Sequence, residues 1–212
     1  LAKHRHAADE AGPGAGIRRA DLGDHGAGLG VCGGPWLREQ AGDLDRVAHL
    51  LAPLGFGRAD LVVAAPKSWL DVETMADVDD VAARMETSTG RKLRVATKYV
   101  RSTRRFFTEE GVGHYRIVES AGATEGAPAA GVAELVVDIT TTGATLESNG
   151  LKILRDGVIL RSQAQLVASL DAEWSATALG ALAKLVGGIE ASVGETTDRL
   201  PRFVAALNDT RA

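Results

Sequence analysis

The pattern of apolar positions along the chain predicts alternating strands and helices. Short apolar runs bounded by glycine, proline or charged residues are typical of β-strands. Such runs predict strands at 26–33, 61–65, 93–97, 115–119, 133–139 and 165–168. The run at 133–139 is almost continuously apolar, which is typical of a central strand covered on both faces.

Apolar residues that recur every three or four positions predict helices between these strands. The predicted helices lie at 43–52, 71–85, 103–107, 171–189 and 200–207. The strand, helix and strand between 93 and 119 suggest a βαβ unit. Two further apolar segments, 151–154 and 158–160, flank the sequence Arg155-Asp156-Gly157 and predict a β-hairpin.

The order of these elements indicates an α/β protein of two parts. A polar stretch at 86–91 precedes a new strand, and we place the boundary between the parts there. The strand at 165–168 is expected to return to the first part. Residues 1–20 show neither a helical nor a strand period, so they predict a loop or a disordered tail.

Composition and charge narrow the classes of function. Of the 212 residues, 45% are hydrophobic and 25% are charged, which is typical of a globular protein. The net charge of -4 argues against non-specific binding to nucleic acid or to an anionic membrane as the main activity. No uninterrupted apolar stretch reaches about 18 residues, so we expect no membrane-spanning segment. The single cysteine, Cys32, cannot form an internal disulfide, which fits a reducing, cytoplasmic location.

The most informative stretch runs from Glu134 to Leu146, where an apolar strand leads to Asp138 and then to a loop rich in threonine and glycine. Gly143 permits a close turn, and the threonine hydroxyls and successive backbone N–H groups can point at one phosphate. Asp138 is placed to accept hydrogen bonds from ribose hydroxyls or to help hold a metal-bound pyrophosphate. This is the chemistry of a phosphoribosyl pyrophosphate site; the alternative is a strand that ends in an ordinary polar turn.

Several motifs in a fixed order resemble one family. They are Leu93 to Tyr99, Thr103 to Phe107, Gly122 to Pro128, Gly131, Asp138 to Leu146 and Asn149 to Leu151. Together these motifs resemble the ATP phosphoribosyltransferase family of histidine biosynthesis, in its short form. The resemblance is dense from residue 57 to residue 169.

The resemblance implies a fold of two α/β lobes, like that of periplasmic binding proteins, with the active site in the interlobe cleft. The first lobe would comprise 1–91 and 161–212, and the second lobe, 92–160, would carry the phosphoribosyl pyrophosphate loop. It also implies the reaction: N1 of the ATP adenine displaces pyrophosphate from C1 of phosphoribosyl pyrophosphate, with Mg2+ on the phosphates. The product is N1-(5-phosphoribosyl)-ATP, and the reaction is the first step of histidine biosynthesis.

The resemblance also implies binding residues. Displacement at an electron-poor anomeric carbon requires alignment of two polyanions and stabilisation of the leaving group, so no dedicated nucleophile is needed. Asp138 and Glu125 are expected on ribose hydroxyls or on the metal. The residues expected on the 5-phosphate are Thr141, Thr142, Gly143, Ala144 and Thr145.

Four further residues are weaker candidates. Arg94 and Lys98 are candidates for binding phosphate charge, and Cys32 and Gly33 are candidates for lining the nucleotide cleft. The alternatives are that Glu125 caps a helix, that Arg94 is an exposed strand residue, and that Cys32 is a small buried residue.

The beginning of the chain departs from the family. Members open with a strand and a loop containing lysine, glycine and arginine that reaches the nucleotides, and nothing like it precedes Gly26. The stretch Gly26 to Gly33 resembles a later segment of the family, so we expect a first lobe truncated at its N-terminus. The alternative to an enzymatic function is therefore that the chain is a non-catalytic truncated subunit or a two-lobed small-molecule binding protein.

The resemblance further implies partners. A homodimer is expected as the minimal catalytic assembly. Short-form members also resemble catalytic subunits that form a hetero-oligomer with a histidyl-tRNA-synthetase-like regulatory subunit, and we expect such a partner.

Overall fold

The chain divides into two compact units in the computed structural model, which describes residues 28–33, 39, 48–120 and 122–209. The first unit is Leu1–Gly57 with Gln163–Ala212, and the second is Arg58–Ser162. Two α/β units with a discontinuous first unit confirm the predicted fold class. The tail predicted at 1–20 lies outside the described residues.

The predicted boundary between residues 91 and 92 is corrected by this division. The strand β3 (Ala59–Pro66) and the helix α1 (Met75–Thr89) belong to the second unit. The physical reason is that β3 pairs with two strands of the second unit, β6 (Leu135–Thr140) and β7 (Leu151–Ser162). The polar stretch at 86–91 therefore ends a helix within one unit and does not link two units.

The described part of the second unit forms a five-stranded sheet in the order β5-β4-β6-β3-β7. The strand β4 (Leu93–Thr97) runs parallel to β6 and to β5 (Tyr115–Glu119), and it is joined to β5 by the helix α2 (Val100–Glu109). This confirms the predicted βαβ unit. The strand β6 is central, as predicted, because it is hydrogen-bonded to a neighbour on each side.

Apolar side chains cover both faces of this sheet. On one face, Leu135 and Val137 of β6 pack with Phe107 of α2 and Met75 of α1 in the larger core cluster. On the other face, Val136 packs with Leu146, which belongs to the short helix α3 (Ala144–Ser148). Since successive strand residues point to opposite faces, only a nearly continuous apolar run can serve both clusters.

The predicted hairpin at 151–160 is wrong, because β7 is one strand with a large bulge. Val62 of β3 pairs with Val158 and Ala64 pairs with Ile153, so residues 154–157 lie opposite the single residue Val63. The bulge receives the start of α1, where the Asp156 carboxylate accepts a hydrogen bond from the Met75 N–H at 2.9 Å. A turn-like sequence therefore forms a cap for a distant helix.

The first unit, within its described residues, has a three-stranded antiparallel sheet in the order β1-β8-β2. These strands are β1 (Leu29–Gly33), β2 (Ala48–Pro53) and β8 (Ala164–Ser169), and helices α4 (Ala176–Val193) and α5 (Arg199–Asp209) follow. The helix predicted at 43–52 is wrong over 48–52, which form β2. Leu51 is fully buried in a cluster with Leu166 and Phe203, and this sheet contact decides the conformation.

One described helix, α4, is long and apolar enough by length and composition to cross a membrane, with a mean hydropathy of 1.3 over 18 residues. The pattern of apolar residues does not predict such a segment. In this structure Leu182 and Val186 of α4 pack into the cluster formed with β8 and α5. Only 11% of the residues in this window are buried in the structure, so α4 is not a mostly buried core helix.

Candidate functional site

The carboxylate of Asp138 lies near the end of the central strand β6. Its side chain is 16% exposed, and one of its oxygens accepts a hydrogen bond from the Ile139 N–H at 2.8 Å. Alternation along the strand places Asp138 on the same face as Val136, and β3 contributes the uncharged Val62 opposite it. The groups that can balance the charge of the mostly buried Asp138 carboxylate must therefore come mainly from other elements.

Two charged groups from other elements reach Asp138. Because Thr97 of β4 pairs with Val137 of β6 in parallel register, Lys98 and Asp138 follow at the next position, and the Lys98 Nζ lies 4.0 Å from an Asp138 oxygen. Burial raises the pKa of the Asp138 carboxyl, and the charge of Glu125 raises this pKa further, whereas Lys98 lowers it. The structure therefore brings Asp138, Glu125 and Lys98 together.

The loop after β6 collects exposed polar groups in one turn. Gly143 has φ of 79°, a left-handed conformation that favours glycine, and its N–H donates to the Thr140 hydroxyl at 2.7 Å. The Thr142 hydroxyl accepts from the Ala144 N–H at 3.3 Å. Within the described part of the chain, the N–H groups of Thr141, Thr142 and Thr145 have no hydrogen-bond partner. Such free donors beside hydroxyl groups suit the oxygens of an anion.

A short 3-10 helix, Thr124–Gly126, supplies Glu125 to the site. Ala123, just before it, has φ of 48°, which is uncommon for a residue other than glycine and costs about 1–2 kcal/mol. Thr124 is 2% exposed, its hydroxyl hydrogen-bonds to the Ser120 hydroxyl at 3.1 Å, and it interacts with Asp138. Strained backbone conformations cluster at functional sites. Here the strain at Ala123 accompanies the placement of the Glu125 carboxylate close to the buried Asp138 carboxylate.

Thr124 and Thr140 are two supporting residues that the sequence analysis did not select. Thr140 is the last residue of β6 and the first of three consecutive threonines. It could have been selected from the sequence, because it stands one residue before the loop at 141–145. Thr124 likewise stands one residue before a selected residue, Glu125, in the motif Gly122 to Pro128, but its contact with Asp138 depends on tertiary folding.

Comparisons with known proteins identify the family. A family model described as ATP phosphoribosyltransferase (HisG) matches residues 20–190, which is most of the chain. The chain is also 62% identical over 186 residues to the ATP phosphoribosyltransferase of Caulobacter vibrioides, a match that covers 84% of this chain. This chain belongs to the ATP phosphoribosyltransferase family. Its resemblance to that family, predicted from the motifs, is confirmed.

The chain spans about half the length of the curated relatives that it matches. The chain spans 58% of the length of the Caulobacter protein. A second relative, the ATP phosphoribosyltransferase of Nitrobacter winogradskyi, is 62% identical over 147 residues, which are 69% of this chain and 45% of that protein. Among solved structures, the ATP phosphoribosyl transferase (HisG:HisZ) complex from Thermotoga maritima has a similar fold, with a TM-score of 0.53 and 24% identity. That match covers 90% of this chain and 75% of the other.

Arg94 does not belong to the group around Asp138 in this member of the family. It lies at the start of β4, and β4 runs parallel to β6, so Arg94 is near the end of the sheet opposite the loop at 141–145. Its guanidinium forms an ion pair with Glu134, with 2.5 Å between Nη2 and Oε1. Burial raises the pKa of Glu134, but hydrogen bonds from Arg94 outweigh burial and hold this pKa below its ordinary value. The structure therefore does not bring Arg94 together with the loop at 141–145 that is expected to bind phosphate.

Cys32 and Gly33 lie on β1 in the first unit, where they pair with Gln165 and Ala164. Cys32 is 5% exposed, and burial raises the pKa of its thiol to about 11. A thiol with this pKa is almost entirely protonated at neutral pH, which supports the alternative that Cys32 is a small buried residue. The role of Gly33 in a nucleotide cleft stays a prediction.

Proposed function

We propose that this chain transfers the phosphoribosyl group of phosphoribosyl pyrophosphate to N1 of the ATP adenine. The bond between C1 and the pyrophosphate oxygen breaks as the bond between N1 and C1 forms, giving phosphoribosyl-ATP and pyrophosphate. The observation that carries the proposal is a loop of free N–H groups and threonine hydroxyls beside a buried carboxylate, in a chain of the ATP phosphoribosyltransferase family.

Different residues of the site bind different parts of phosphoribosyl pyrophosphate. The N–H groups and hydroxyls at 141–145 bind the 5-phosphate, since they are donors and carry no negative charge. Asp138 and Glu125 can only accept hydrogen bonds when ionised, so they bind the ribose hydroxyls and not the phosphate. This division holds the sugar at both ends and fixes its anomeric carbon for attack by the adenine nitrogen.

The same carboxylates suit a magnesium ion. Mg2+ binds through one or two protein carboxylates together with substrate phosphate oxygens, and Asp138 and Glu125 provide that donor set. We propose that these two residues help hold Mg2+ on the pyrophosphate group. When bound, Mg2+ supplies positive charge that stabilises the leaving pyrophosphate.

We also propose partners and a location. The similar Thermotoga maritima structure is a HisG:HisZ complex, which supports a hetero-oligomer of this chain with a HisZ-like regulatory subunit. Membership of the family supports a homodimer as the minimal catalytic assembly, and the single cysteine, Cys32, supports a cytoplasmic location. Light scattering of the purified chain, alone and with the regulatory subunit, tests both assemblies.

The experiment mixes the purified chain with ATP, phosphoribosyl pyrophosphate, Mg2+ and pyrophosphatase, with and without the regulatory subunit. Phosphoribosyl-ATP is followed by absorbance and mass spectrometry. Thr142→Ala is expected to lower the rate by about 10- to 100-fold, the effect of losing one hydrogen bond to a charged group. The matched control is Thr108→Ala, on the exposed side of α2, which should retain the wild-type rate.

Three outcomes separate the functions. Product that depends on Thr142 supports the enzyme. Binding of phosphoribosyl pyrophosphate without product supports the alternative of a non-catalytic subunit. If the wild-type chain neither binds phosphoribosyl pyrophosphate nor forms product, both the reaction and the assignment of the loop are wrong.

A further inference from the structure

Arg161 lies at the end of β7, at the same end of the sheet as the loop at 141–145. Strand pairing fixes its place, because Asp60 of β3 is opposite both Thr140 of β6 and Arg161 of β7. The loop starts directly after Thr140, whose hydroxyl accepts a hydrogen bond from the Gly143 N–H at 2.7 Å. Neighbouring strands are about 5 Å apart, so the backbones of Arg161 and Thr140 are about 10 Å apart. A long side chain and a bound phosphate can bridge this distance.

The side chain of Arg161 projects from the sheet face that carries α3. Residues directly opposite each other on neighbouring strands point to the same face, and successive residues of a strand alternate between faces. Asp60 lies two residues before Val62, so both face the cluster that contains Leu146 of α3. Leu160, the neighbour of Arg161, packs against the larger cluster on the opposite face. Arg161 and the helix that follows the loop therefore share one face.

The guanidinium of Arg161 is free to bind an anion within the described part of the chain. It is exposed, and it forms no hydrogen bond or ion pair with a described residue, the facing Asp60 included. Lys98, by contrast, lies 4.0 Å from Asp138. Arg58, one residue before β3, is a second exposed arginine at this end of the sheet, but no strand pairing fixes the face to which it points.

A bound 5-phosphate requires positive charge that the loop lacks. A phosphate monoester carries a charge of about −1.5 to −2 at pH 7, whereas the donors at 141–145 are neutral N–H and hydroxyl groups. The carboxylates of Asp138 and Glu125 add negative charge to the site. The planar guanidinium of an arginine donates paired hydrogen bonds to phosphate and keeps its charge at every physiological pH.

We propose that Arg161 binds the 5-phosphate of phosphoribosyl pyrophosphate and supplies the positive charge that the loop at 141–145 lacks. The inference rests on the proposed function, to which it adds one binding residue. Arg161 thus takes the role that the sequence pattern suggested for Arg94, which lies near the opposite end of the sheet.

The first test measures the affinity of the full chain for phosphoribosyl pyrophosphate by calorimetry, with folding checked by urea denaturation. Arg161→Met keeps a long side chain but removes the charge, and we expect binding weaker by about 10- to 100-fold, the effect of losing a hydrogen bond to a charged group. Arg161→Lys should bind with intermediate affinity, since lysine keeps the charge but lacks the paired donors of arginine. Wild-type affinity in folded Arg161→Met would overturn the proposal.

Two variants control for the loss of one positive charge. Lys152 also belongs to β7, but it pairs with Ala65 at the opposite end of the strand, so Lys152→Met should bind as the wild type does. An equal loss in Lys152→Met and Arg161→Met would indicate a general effect of charge and would overturn the proposal. A loss in Arg58→Met with none in Arg161→Met would assign the contact to the neighbouring arginine, with the same consequence.

The second test asks which phosphate Arg161 binds, by combining Arg161→Met with Thr142→Ala. Residues that bind the same group are energetically coupled, whereas distant residues act independently. We therefore expect the loss of affinity caused by Arg161→Met to differ by at least about twofold between the wild-type and the Thr142→Ala backgrounds. Equal losses in the two backgrounds would place Arg161 on another part of the substrate, such as the pyrophosphate group, and would overturn the assignment to the 5-phosphate.

The outcomes distinguish this inference from the proposed function. A wild-type chain that binds no phosphoribosyl pyrophosphate would refute the proposed function, and the inference would fail with it. A wild-type chain that binds this substrate, together with unchanged affinity in Arg161→Met, would overturn the inference alone. A loss in Arg161→Met that is coupled to Thr142 supports both.

Discussion

The backbone of the loop can be tested by adding a single methyl group at Gly143. Its φ of 79° is in the left-handed region, where alanine is disfavoured. Gly111 has φ of 76° and ends α2, remote in sequence from the loop. Both glycines lie in the second unit, so Gly143→Ala and Gly111→Ala can be compared in the same unfolding transition.

The expected cost in stability is similar for the two variants. An alanine in the left-handed region costs about 1–2 kcal/mol, and the smaller freedom of the unfolded chain offsets about 0.4–1 kcal/mol of this cost. The net loss is about 0–1.6 kcal/mol in each case. The new methyl at Gly143 would meet Ile153 Cδ1 at 3.4 Å, an ordinary contact, and the one at Gly111 would meet nothing within 4 Å. Steric overlap therefore should not make the stabilities of Gly143→Ala and Gly111→Ala differ.

The two variants should differ in their affinity for phosphoribosyl pyrophosphate. Gly143→Ala is expected to weaken phosphoribosyl pyrophosphate binding by about tenfold or more, because a shifted backbone loses at least one hydrogen bond to a charged phosphate. Gly111→Ala should bind as the wild type does. Urea denaturation gives the two stabilities and calorimetry gives the two affinities. Equal affinities in variants of equal stability would refute the assignment of this loop as the phosphate site.

Three further predictions concern residues outside the loop. Gly157→Ala should destabilise the second unit by about 1–3 kcal/mol in urea denaturation, since its methyl would lie 3.1 Å from the carbonyl oxygen of Val63; wild-type stability would contradict this. Arg94→Met should lower stability by removing the ion-pair partner of the partly buried Glu134, yet keep phosphoribosyl pyrophosphate affinity within about twofold. A tenfold loss of affinity in Arg94→Met would indicate that Arg94 binds phosphate. The Cys32 thiol should react with a disulfide reagent at pH 8 about 100-fold more slowly in the native chain than in urea, because its pKa is about 11 instead of 9.0; equal rates would show that Cys32 is accessible.

The candidate site was predictable where its signals are local. The strand before Asp138 is an uninterrupted apolar run, and the left-handed turn after it requires glycine, which stands at 143. Glu125 and Lys98 were selected only through resemblance to the family, and their contact with Asp138 was not predicted. Arg94 shows the limit of a local signal, because a basic residue on a strand does not reveal at which end of the sheet its partner lies.

The sequence by itself determined the strands β3 to β6 and the helices α1 and α2 of the second unit, the central place of β6 and the turn at Gly143. These features depend on apolar periodicity and on the backbone freedom of single residues, which act over a few positions. The tertiary structure decided that 48–53 form a strand, that 151–162 form one bulged strand, and that Lys98 and Glu125 meet Asp138. The physical reason is that sheet pairing and burial join residues far apart in the chain, and their energies exceed the weak local preferences that the sequence displays.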